Sequence, residues 1–509
     1  MKNAAGREIP ELIAGNKLKP FQGPWECFPA RQQTGKRIDV SSSEKLQKSI
    51  EAAIEACGLK DGMTISFHHH LRNGDAVMKL VVDAIARKGI RGLRLSASSL
   101  SEVQDALLPH LESGVIVALD TSGLRGQLGK FVSAGRLPHP VMIRTHGGRA
   151  RAIERGELKI DVAFIGAPTC DSYGNINGID GPAACGSLGY AMIDAACADK
   201  VVAVTDNLVR GPLHQISIPQ TQVDFIVQVD SIGDPAGIST GSLRISTDSK
   251  ELLISEYAAR VIEHSGCFKD GFSLQLGSGG ASLSAARFIR QKMQAKKITA
   301  AFGVGGITGI FTDMMEEGLV ELLFDVQSFD ASAIRSLKNS RRHLEMSASY
   351  YASPGNRGPI VNQVDAVILS ATEVDVEFNV NVLTGSNGRL MGAPGGHPDT
   401  AAGSKLCIVA LPLVRKNFPV VCKQVNTVVT PGSTVDVVVT DRGVAVNPLR
   451  KDLIGNLAES GLPIMPIEDL QRLAMEITGA TEMPPAEGDI VGLVEYRDGT
   501  IIDVIRKLG

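Results

Sequence analysis

The chain has 509 residues, with 52 Lys and Arg against 55 Asp and Glu, and its formal net charge is −3. This length exceeds what one hydrophobic core usually serves, so it predicts two domains of roughly 200–250 residues each. The near-balance of charge excludes a global attraction to nucleic acid or to an anionic membrane, so any cationic site must be local.

The cysteines and the N-terminus indicate a cytoplasmic protein. The eight Cys include no C-x-x-C pair, which disfavours a disulfide framework and a zinc site. The first residues carry charges where a signal peptide has its apolar run, and no apolar stretch approaches the ~20 residues that span a bilayer. We therefore expect no bound metal and no membrane partner.

The order of elements predicts two tandem doubly wound α/β domains. Residues 1–40 form an arm interrupted by prolines. Helical patterns and short apolar strands alternate over 41–232, which is typical of a parallel sheet with helices on both faces. A Gly-, Pro- and Ser-rich linker follows at 233–242. The alternation resumes in 243–509, where two strand-turn-strand patterns after Gly432 predict hairpins, a β-rich addition that closes over the second domain.

One phrase occurs twice, as DVAFIGAPTCDSYGNIN (161–177) and DAVILSATEVDVEFNVN (365–381). Identical residue types recur in register at Asp161/Asp365, Ala167/Ala371, Asp171/Asp375, Asn175/Asn379 and Asn177/Asn381. Asp and Asn bond their own backbone in turns, so the simpler interpretation is a pair of equivalent structural turns. The functional alternative is a duplicated domain that holds a ligand in the cleft between its copies.

Three glycine-rich loops could carry chemistry. GVGGITG (303–309) resembles a dinucleotide site, but its spacing is G-x-G-x-x-x-G because position 308 is Thr, which argues against NAD. GSGGAS (277–282) and GAPGGH (392–397) could aim backbone N–H groups at an oxyanion or a phosphate. The alternative for both is a close approach of helix to strand, which also requires glycine.

FHHHLRNGD (67–75) is the most unusual short segment. If the three His continue a strand, His68 and His70 face one way and His69 the other, which excludes a compact metal triad. Together with Arg72 the segment offers several donors for carboxylates. The alternative is a surface cluster without function.

These motifs, in their order and approximate spacing, resemble the CoA-transferase family. The segments that carry the likeness are SLQLGSGGASLSAARF, GVGGITGIFTDMMEEGLVE, ATEVDVEFNVNV, GAPGGHPDTAAGS and DVAFIGAPTCDSYGNING. Within that family FHHHLRNGD and the N-terminal arm are most similar to the citrate lyase alpha chains, which are citrate CoA-transferases. The resemblance covers essentially the whole chain and implies two tandem CoA-transferase-like domains.

The resemblance implies a transferase that exchanges acetyl for citryl on a thioester and releases acetate. The thioester belongs to the CoA-like prosthetic group of an acetyl carrier protein, the gamma chain, so no permanently bound cofactor is expected. A citryl lyase, the beta chain, then cleaves the product, and self-association is expected. The alternatives are a malonate-specific carrier-protein transferase, a nucleotide-dependent oxidoreductase and a non-catalytic scaffold.

Under this resemblance we assign candidate site residues by role. His69, His70 and Arg72 are assigned to the citrate carboxylates, and strand alternation lets only one of the two His point inward with Arg72. Gly395 and Gly396 are assigned as oxyanion donors. The residues assigned to line the thioester arm are Gly277, Gly279, Gly280, Gly303, Gly305 and Gly306.

The mechanism is expected to differ from that of many CoA-transferases. Those enzymes carry a nucleophilic Glu in a Ser-Glu-Met phrase, where this chain has Thr312-Asp313-Met314. The shorter Asp would draw the carboxylate back by about 1 Å, a misplacement that can cost ~100-fold in rate. We therefore expect direct attack by citrate on the acetyl thioester, with Asp313 as a positioning residue or a helix N-cap.

Overall fold

The structure is a computed structural model, and it describes residues 1–2, 8, 10–13, 16–17, 45–239, 247–277, 280–480 and 488–508. Most of the predicted arm lies outside the described residues, although Leu12–Ile13 pairs antiparallel with Asn16–Lys17. In the described part of the chain, no helix is both long enough and apolar enough to cross a bilayer.

Two large sheets organise the described part of the chain. The first half of the chain contributes β1 (Leu46–Gln47), β2 (Thr64–Phe67), β3 (Leu93–Ala97), β4 (Ile116–Thr121), β5 (Val141–Ile143), β6 (Val162–Ala167), β7 (Lys200–Thr205) and β8 (Phe225–Gln228). The second half contributes β9 (Ser273–Leu276), β10 (Ala300–Ile307), β11 (Val320–Ser328), β12 (His343–Glu345), β13 (Ala366–Leu369), β14 (Leu406–Ala410), β15 (Val437–Val439), β16 (Val444–Val446), β17 (Ile490–Glu495) and β18 (Ile501–Arg506).

The two sheets share one strand order. The first runs β18-β17-β5-β4-β3-β2-β6-β7-β8-β1 and the second runs β12-β11-β10-β9-β13-β14-β15-β16. The series from β5 to β8 in the first sheet matches the series from β12 to β15 in the second, and each neighbouring pair within these series is parallel. The prediction of an α/β protein with parallel sheets is confirmed.

Helices connect the parallel strands. In the described residues they are α1 (Ile50–Cys57), α2 (Val77–Arg87), α3 (Leu108–Glu112), α4 (Gly126–Ser133), α5 (His146–Glu154), α6 (Gly189–Cys197), α7 (Ser249–His264), α8 (Gly280–Lys296), α9 (Gly309–Glu316), α10 (Ala331–Asn339), α11 (Ala348–Ala352), α12 (His397–Gly403), α13 (Lys451–Leu457) and α14 (Ile467–Thr478). Several begin at a polar cap whose side chain accepts a backbone N–H, as Ser49 does for α1, Thr145 for α5 and Asp330 for α10. Central strands such as β14 are buried along their whole length, as expected for a sheet covered on both faces.

The C-terminal hairpin belongs to the first sheet, contrary to the sequence-based assignment to the second domain. Strand β17 pairs parallel with β5 and antiparallel with β18. Buried Glu495 on β17 forms ion pairs with Arg144 and Arg151, and Arg144 also donates to Asp120 at 2.9 Å. This charge network and the apolar residues around it fix the hairpin on that edge. The other predicted hairpin, β15–β16, does lie in the second sheet.

The repeated phrase forms two equivalent turns. Asp171 and Asp375 are each the last residue of a short strand, and one carboxylate oxygen of each accepts the backbone N–H of Asn175 or Asn379 at 2.9 Å. The other oxygen accepts the same Asn side chain, at 2.8 Å in the first turn and 3.2 Å in the second. The duplicated residues therefore build matching turns, as the simpler interpretation of the repeat predicts.

Candidate functional site

The His-rich segment lies immediately after β2, which ends at Phe67, so it is not part of the strand as predicted. The rings of His68 and His70 stack on each other with centroids 5.4 Å apart. The ring of His69 points elsewhere, 4.9 Å from Tyr190 and 5.7 Å from His146. The three side chains therefore still point in alternating directions, although the strand ends before them.

His69 is held by hydrogen bonds on both its ring and its backbone. Its Nδ1 lies 2.6 Å from the Ser98 hydroxyl, which also accepts the His69 N–H. Its carbonyl accepts the Arg72 N–H at 3.1 Å and the Gln327 side-chain amide at 2.8 Å. Because Gln327 lies on β11, the second sheet contacts this segment directly.

Arg72 is a half-buried cation that forms no ion pair with a carboxylate among the described residues. Its backbone has φ 51°, a left-handed conformation that non-glycine residues rarely adopt and that often marks a functional site. Its guanidinium lies 5.1 Å from the centroid of the Phe329 ring, and its buried Nη1 has no hydrogen-bond acceptor among the described residues. Burial and the nearby guanidinium of Arg125 lower the pKa of Arg72 to about 10.

Arg125, at the start of α4, is a second half-buried cation near Arg72. Burial lowers its pKa, while Glu102 partly opposes that effect. Arg125 lowers the pKa of Arg72, and neither guanidinium forms an ion pair with the described residues, so the two together create a local attraction for a polyanion. Arg72 and Arg125 therefore form a local positive cluster, of the kind that a near-neutral net charge leaves open.

The imidazoles beside these arginines are neutral at physiological pH. Burial, reinforced by neighbouring positive charge, lowers the pKa of His69 well below its usual value and that of His146 to about 3. Both rings can therefore donate or accept a hydrogen bond but carry no charge. Among the described residues, no group of three or more His, Cys, Asp or Glu is arranged to hold a metal ion.

His70, the other predicted citrate ligand, lies apart from this cluster. Its ring is buried with His68 against Phe67, Phe164 and Cys185, around a cavity of about 10 Å³. Burial lowers the pKa of His70 well below its usual value. The structure therefore brings His69, and not His70, next to Arg72.

The Gly395–Gly396 loop comes close to the same cluster. The Gly395 carbonyl accepts the His146 N–H at 2.9 Å, and a Cβ at Gly395 would lie 3.5 Å from His146 Nε2. With φ 55°, Gly395 has a conformation that disfavours other residues. A Cβ at Gly396 would lie 2.6 Å from the Tyr351 hydroxyl. Neither glycine N–H donates to an acceptor in the described part of the protein.

The predicted loop at 303–306 lies within β10 instead of following it. A Cβ at Gly303 would lie 2.8 Å from the Phe311 ring, and one at Gly305 would lie 3.1 Å from the Gln275 side chain. Gln275 in turn donates to the Tyr351 hydroxyl at 2.8 Å, which connects Gly305 to Gly396. Close packing around the site requires glycine at 303 and 305, and the Phe329 ring packs against Gly306.

The loop at 277–280 lies at the end of β9, the strand next to β10. The Gly277 N–H donates to the Ile368 carbonyl at 2.8 Å, so it is not available to a ligand. Gly279 lies outside the described residues, and Gly280 begins α8.

Asp313 does not have the predicted N-cap role. It is exposed on α9, and the capping position of that helix is occupied by Thr308. The Asp313 side chain therefore lies one turn into the helix, on the solvent side, because the adjacent Thr312 and Met314 face the core.

Sequence reasoning missed Arg125, His146 and Tyr190. Each lies in a segment without a recognised motif, although Thr145 before the HGG at 146–148 is a helix-start signal after an apolar strand. An attentive search for polar residues at the ends of parallel strands could have found His146.

Comparison with known proteins identifies the family. The family model described as citrate lyase, alpha subunit, matches residues 43–508. The chain belongs to the citrate lyase alpha subunit family. The citrate lyase alpha chain of Klebsiella pneumoniae is 49% identical over 513 residues, covering 100% of this chain and 99% of that one.

Solved structures agree with the membership in the citrate lyase alpha family. The alpha subunit of citrate lyase from Streptococcus mutans, solved in complex with citrate, is 48% identical, with a TM-score of 0.90 over 100% of both chains. A Pseudomonas malonate decarboxylase hetero-tetramer, solved with malonate, contains a chain with a TM-score of 0.64 and 16% identity, covering 87% of this chain and 95% of that one. At that identity the second likeness concerns the fold alone.

Proposed function

We propose that this chain is a citrate CoA-transferase that exchanges acetyl for citryl on the thioester of an acyl carrier protein and releases acetate. The observation that carries the proposal is the pair of arginines, Arg72 and Arg125, which lie beside His69 and form no ion pair among the described residues, in a member of the citrate lyase alpha family. Citrate supplies the carboxylates that this cluster lacks, and the Streptococcus mutans relative was solved with citrate.

The Gly395–Gly396 loop stabilises the oxyanion that forms during the proposed reaction. Thioester exchange proceeds through tetrahedral intermediates whose oxyanion needs fixed donors. The two glycine N–H groups are free of acceptors in the described residues and lie next to His146, whose neutral ring can donate a further hydrogen bond. Since His69 stacks on His146, citrate held by Arg72 would lie near these donors.

We favour a route without a covalent enzyme intermediate. A citrate carboxylate attacks the acetyl thioester carbonyl, which forms an acetyl-citryl anhydride and expels the carrier thiolate. The thiolate then attacks the citryl carbonyl, which forms the citryl thioester and releases acetate. Every bond broken is matched by one formed, and no further reactant is required.

The positions of the other candidate nucleophiles support this route. Asp313, Glu316 and Glu317 are exposed on or just after α9. Buried Glu373 accepts a hydrogen bond from the Asn381 side chain at 2.9 Å and stabilises the repeated turn.

Borohydride reduction after incubation with acetyl-CoA, followed by peptide mass spectrometry, should find no modified carboxylate. A reduced or CoA-modified residue at any of these positions would establish the covalent route.

Two tandem CoA-transferase-like domains and a multi-chain complex complete the proposal. The shared strand order of the two sheets supports the tandem arrangement. The donor is a protein-bound thioester, so the chain must dock a carrier protein, the gamma chain, and act beside a citryl lyase, the beta chain. Cytoplasmic location and self-association remain predictions, testable by fractionation and by co-purification from the native cell.

The activity is tested by incubating the purified chain with acetyl-CoA as a surrogate donor and citrate, followed by mass spectrometry. Citryl-CoA and acetate are the expected products. A parallel reaction with malonate measures specificity, and malonyl-CoA without citryl-CoA would replace this proposal with a malonate-specific transferase. Binding of a nicotinamide nucleotide without acyl transfer would instead support the oxidoreductase.

A further inference from the structure

We propose that Phe329 and Gln327 are positioning residues for Arg72, so that the second sheet fixes the cation that the first half of the chain presents to citrate. This inference rests on the proposed function, because it concerns the citrate site. Neither residue belongs to the motifs that carry the family resemblance in the first half of the chain, and both lie at the end of β11.

Arg72 needs external support to keep its conformation. Its φ of 51° is a left-handed backbone angle that costs a non-glycine residue free energy, and a loop holds such an angle only when its surroundings impose it. The Arg72 N–H donates to the His69 carbonyl at 3.1 Å and closes a tight turn over 69–72. The guanidinium at the end of this turn forms no ion pair within the described residues, so its direction must come from other contacts.

Phe329 supplies one such contact. It lies between β11 and α10 at the carboxyl edge of the second sheet, and its ring centroid is 5.1 Å from the guanidinium carbon of Arg72. Its own backbone is fixed, because its N–H donates to the Ile307 carbonyl at 2.8 Å and its carbonyl accepts the Ser239 hydroxyl at 3.4 Å. A ring held in this way restricts the guanidinium to the cation–π geometry.

The Phe329 ring packs directly against the backbone of Gly306. A Cβ at Gly306 would collide with that ring, so any other residue would push Phe329 from its place. This contact gives a physical reason for glycine at 306 that differs from lining a thioester arm. Gly306 thus contacts Phe329, and Phe329 in turn contacts Arg72.

Gln327 supplies an independent contact to the same turn. Its side-chain amide donates at 2.8 Å to the His69 carbonyl, the same oxygen that accepts the Arg72 N–H. Gln327 is only 2% exposed, so its rotamer is fixed by packing. The second sheet therefore holds both the backbone of the turn and the side chain at its end.

The test measures steady-state kinetics of Phe329→Leu and Gly306→Ala with citrate and acetyl-CoA. Both variants should raise the citrate KM roughly 3- to 10-fold, the range expected for a cation–π contact. Phe329→Leu should also leave kcat and the acetyl-CoA KM within about twofold. Phe302→Leu is the matched control, since Phe302 is a half-buried phenylalanine on the same strand as Gly306 that packs on Phe324 instead. It should leave the citrate KM unchanged.

A double-mutant cycle separates positioning from general loosening of the fold. If Phe329 acts through Arg72, then Phe329→Leu should add nothing to the citrate KM of Arg72→Ala. Independent effects that multiply would overturn the inference, as would an unchanged citrate KM in Phe329→Leu or Gly306→Ala. If Phe329→Leu fails to fold, Gln327→Leu provides the same measurement and the same cycle. Failure of the wild-type chain to transfer citrate would instead refute the proposed function.

Discussion

Removing the Arg72 guanidinium should weaken citrate binding without weakening the fold. A charge-assisted hydrogen bond to a carboxylate contributes about 1.5–3 kcal/mol, and each 1.4 kcal/mol changes an equilibrium constant about tenfold. Arg72→Ala should therefore raise the citrate KM roughly 10- to 150-fold, with the acetyl-CoA KM nearly unchanged. Arg125→Ala should show the same separation, because its guanidinium adds to the same positive cluster.

The stability of the variant distinguishes a ligand site from a structural cation. Arg72 forms no ion pair among the described residues, so its loss leaves no buried carboxylate unpaired and also relieves repulsion with Arg125. Loss of the cation–π contact with Phe329 opposes that relief, so the free energy of unfolding in urea should change by less than about 1 kcal/mol. Arg136→Ala is the matched control, since that guanidinium also stacks on a phenylalanine, 4.4 Å from the Phe131 centroid, but is exposed. Equal increases in the KM of both substrates would refute the assignment of Arg72.

Three further outcomes follow from the described contacts. Alanine disfavours the φ of 55° at position 395, so Gly395→Ala should displace the backbone N–H that we assign as an oxyanion donor. The variant should lower kcat about 100-fold or more, the typical cost of losing one such donor. An unchanged kcat would exclude this loop from the chemistry. The pKa of His146 is about 3 in the folded chain, below its value of about 6.5 in the unfolded chain, so the unfolded state binds the proton first as the pH falls. The free energy of unfolding should therefore decrease as the pH drops from about 6.5 toward 3. His146→Phe should make this decrease smaller in urea titrations, and an unaltered pH dependence would contradict the prediction. Arg144→Leu leaves the buried carboxylate of Asp120 without its partner, so it should lower the free energy of unfolding by about 3–5 kcal/mol. A decrease of less than about 1 kcal/mol would contradict this prediction.

The fold was predictable because its pattern is local. Short buried strands separated by amphipathic helices specify parallel sheets wherever they occur, and the structure contains them in both halves. The C-terminal hairpin shows the limit of this reasoning. Its two strands were evident from the sequence, but a hairpin pattern does not say which sheet edge it joins. That choice depends on contacts such as the one between Glu495 and Arg144, which no spacing reveals.

The candidate site was only partly predictable for the same reason. His69, Arg72 and Gly395 belong to unusual short motifs, and they lie in one cluster in the structure. Arg125 and His146 belong to ordinary segments and become significant only through their neighbours. The glycines of β10 were recognisable as unusual, but the side chains they accommodate come from elsewhere in the chain.

Equivalent strands of the two sheets are followed by unlike residues, although the repeated phrase forms matching turns in both halves. Strands β2 and β9 occupy matching positions in the two sheet orders. After β2 the chain places His69 and Arg72, which supply hydrogen bonds and charge, whereas after β9 it places Gly277, whose N–H is engaged with Ile368. The repeated Asp turns are alike in both halves, since each carboxylate accepts hydrogen bonds from the backbone and the Asn side chain of its own turn. The two halves of the chain thus contribute unlike residues, because the first half carries Arg72 and Arg125, whereas the second half carries Gly306, which lets the Phe329 ring approach Arg72.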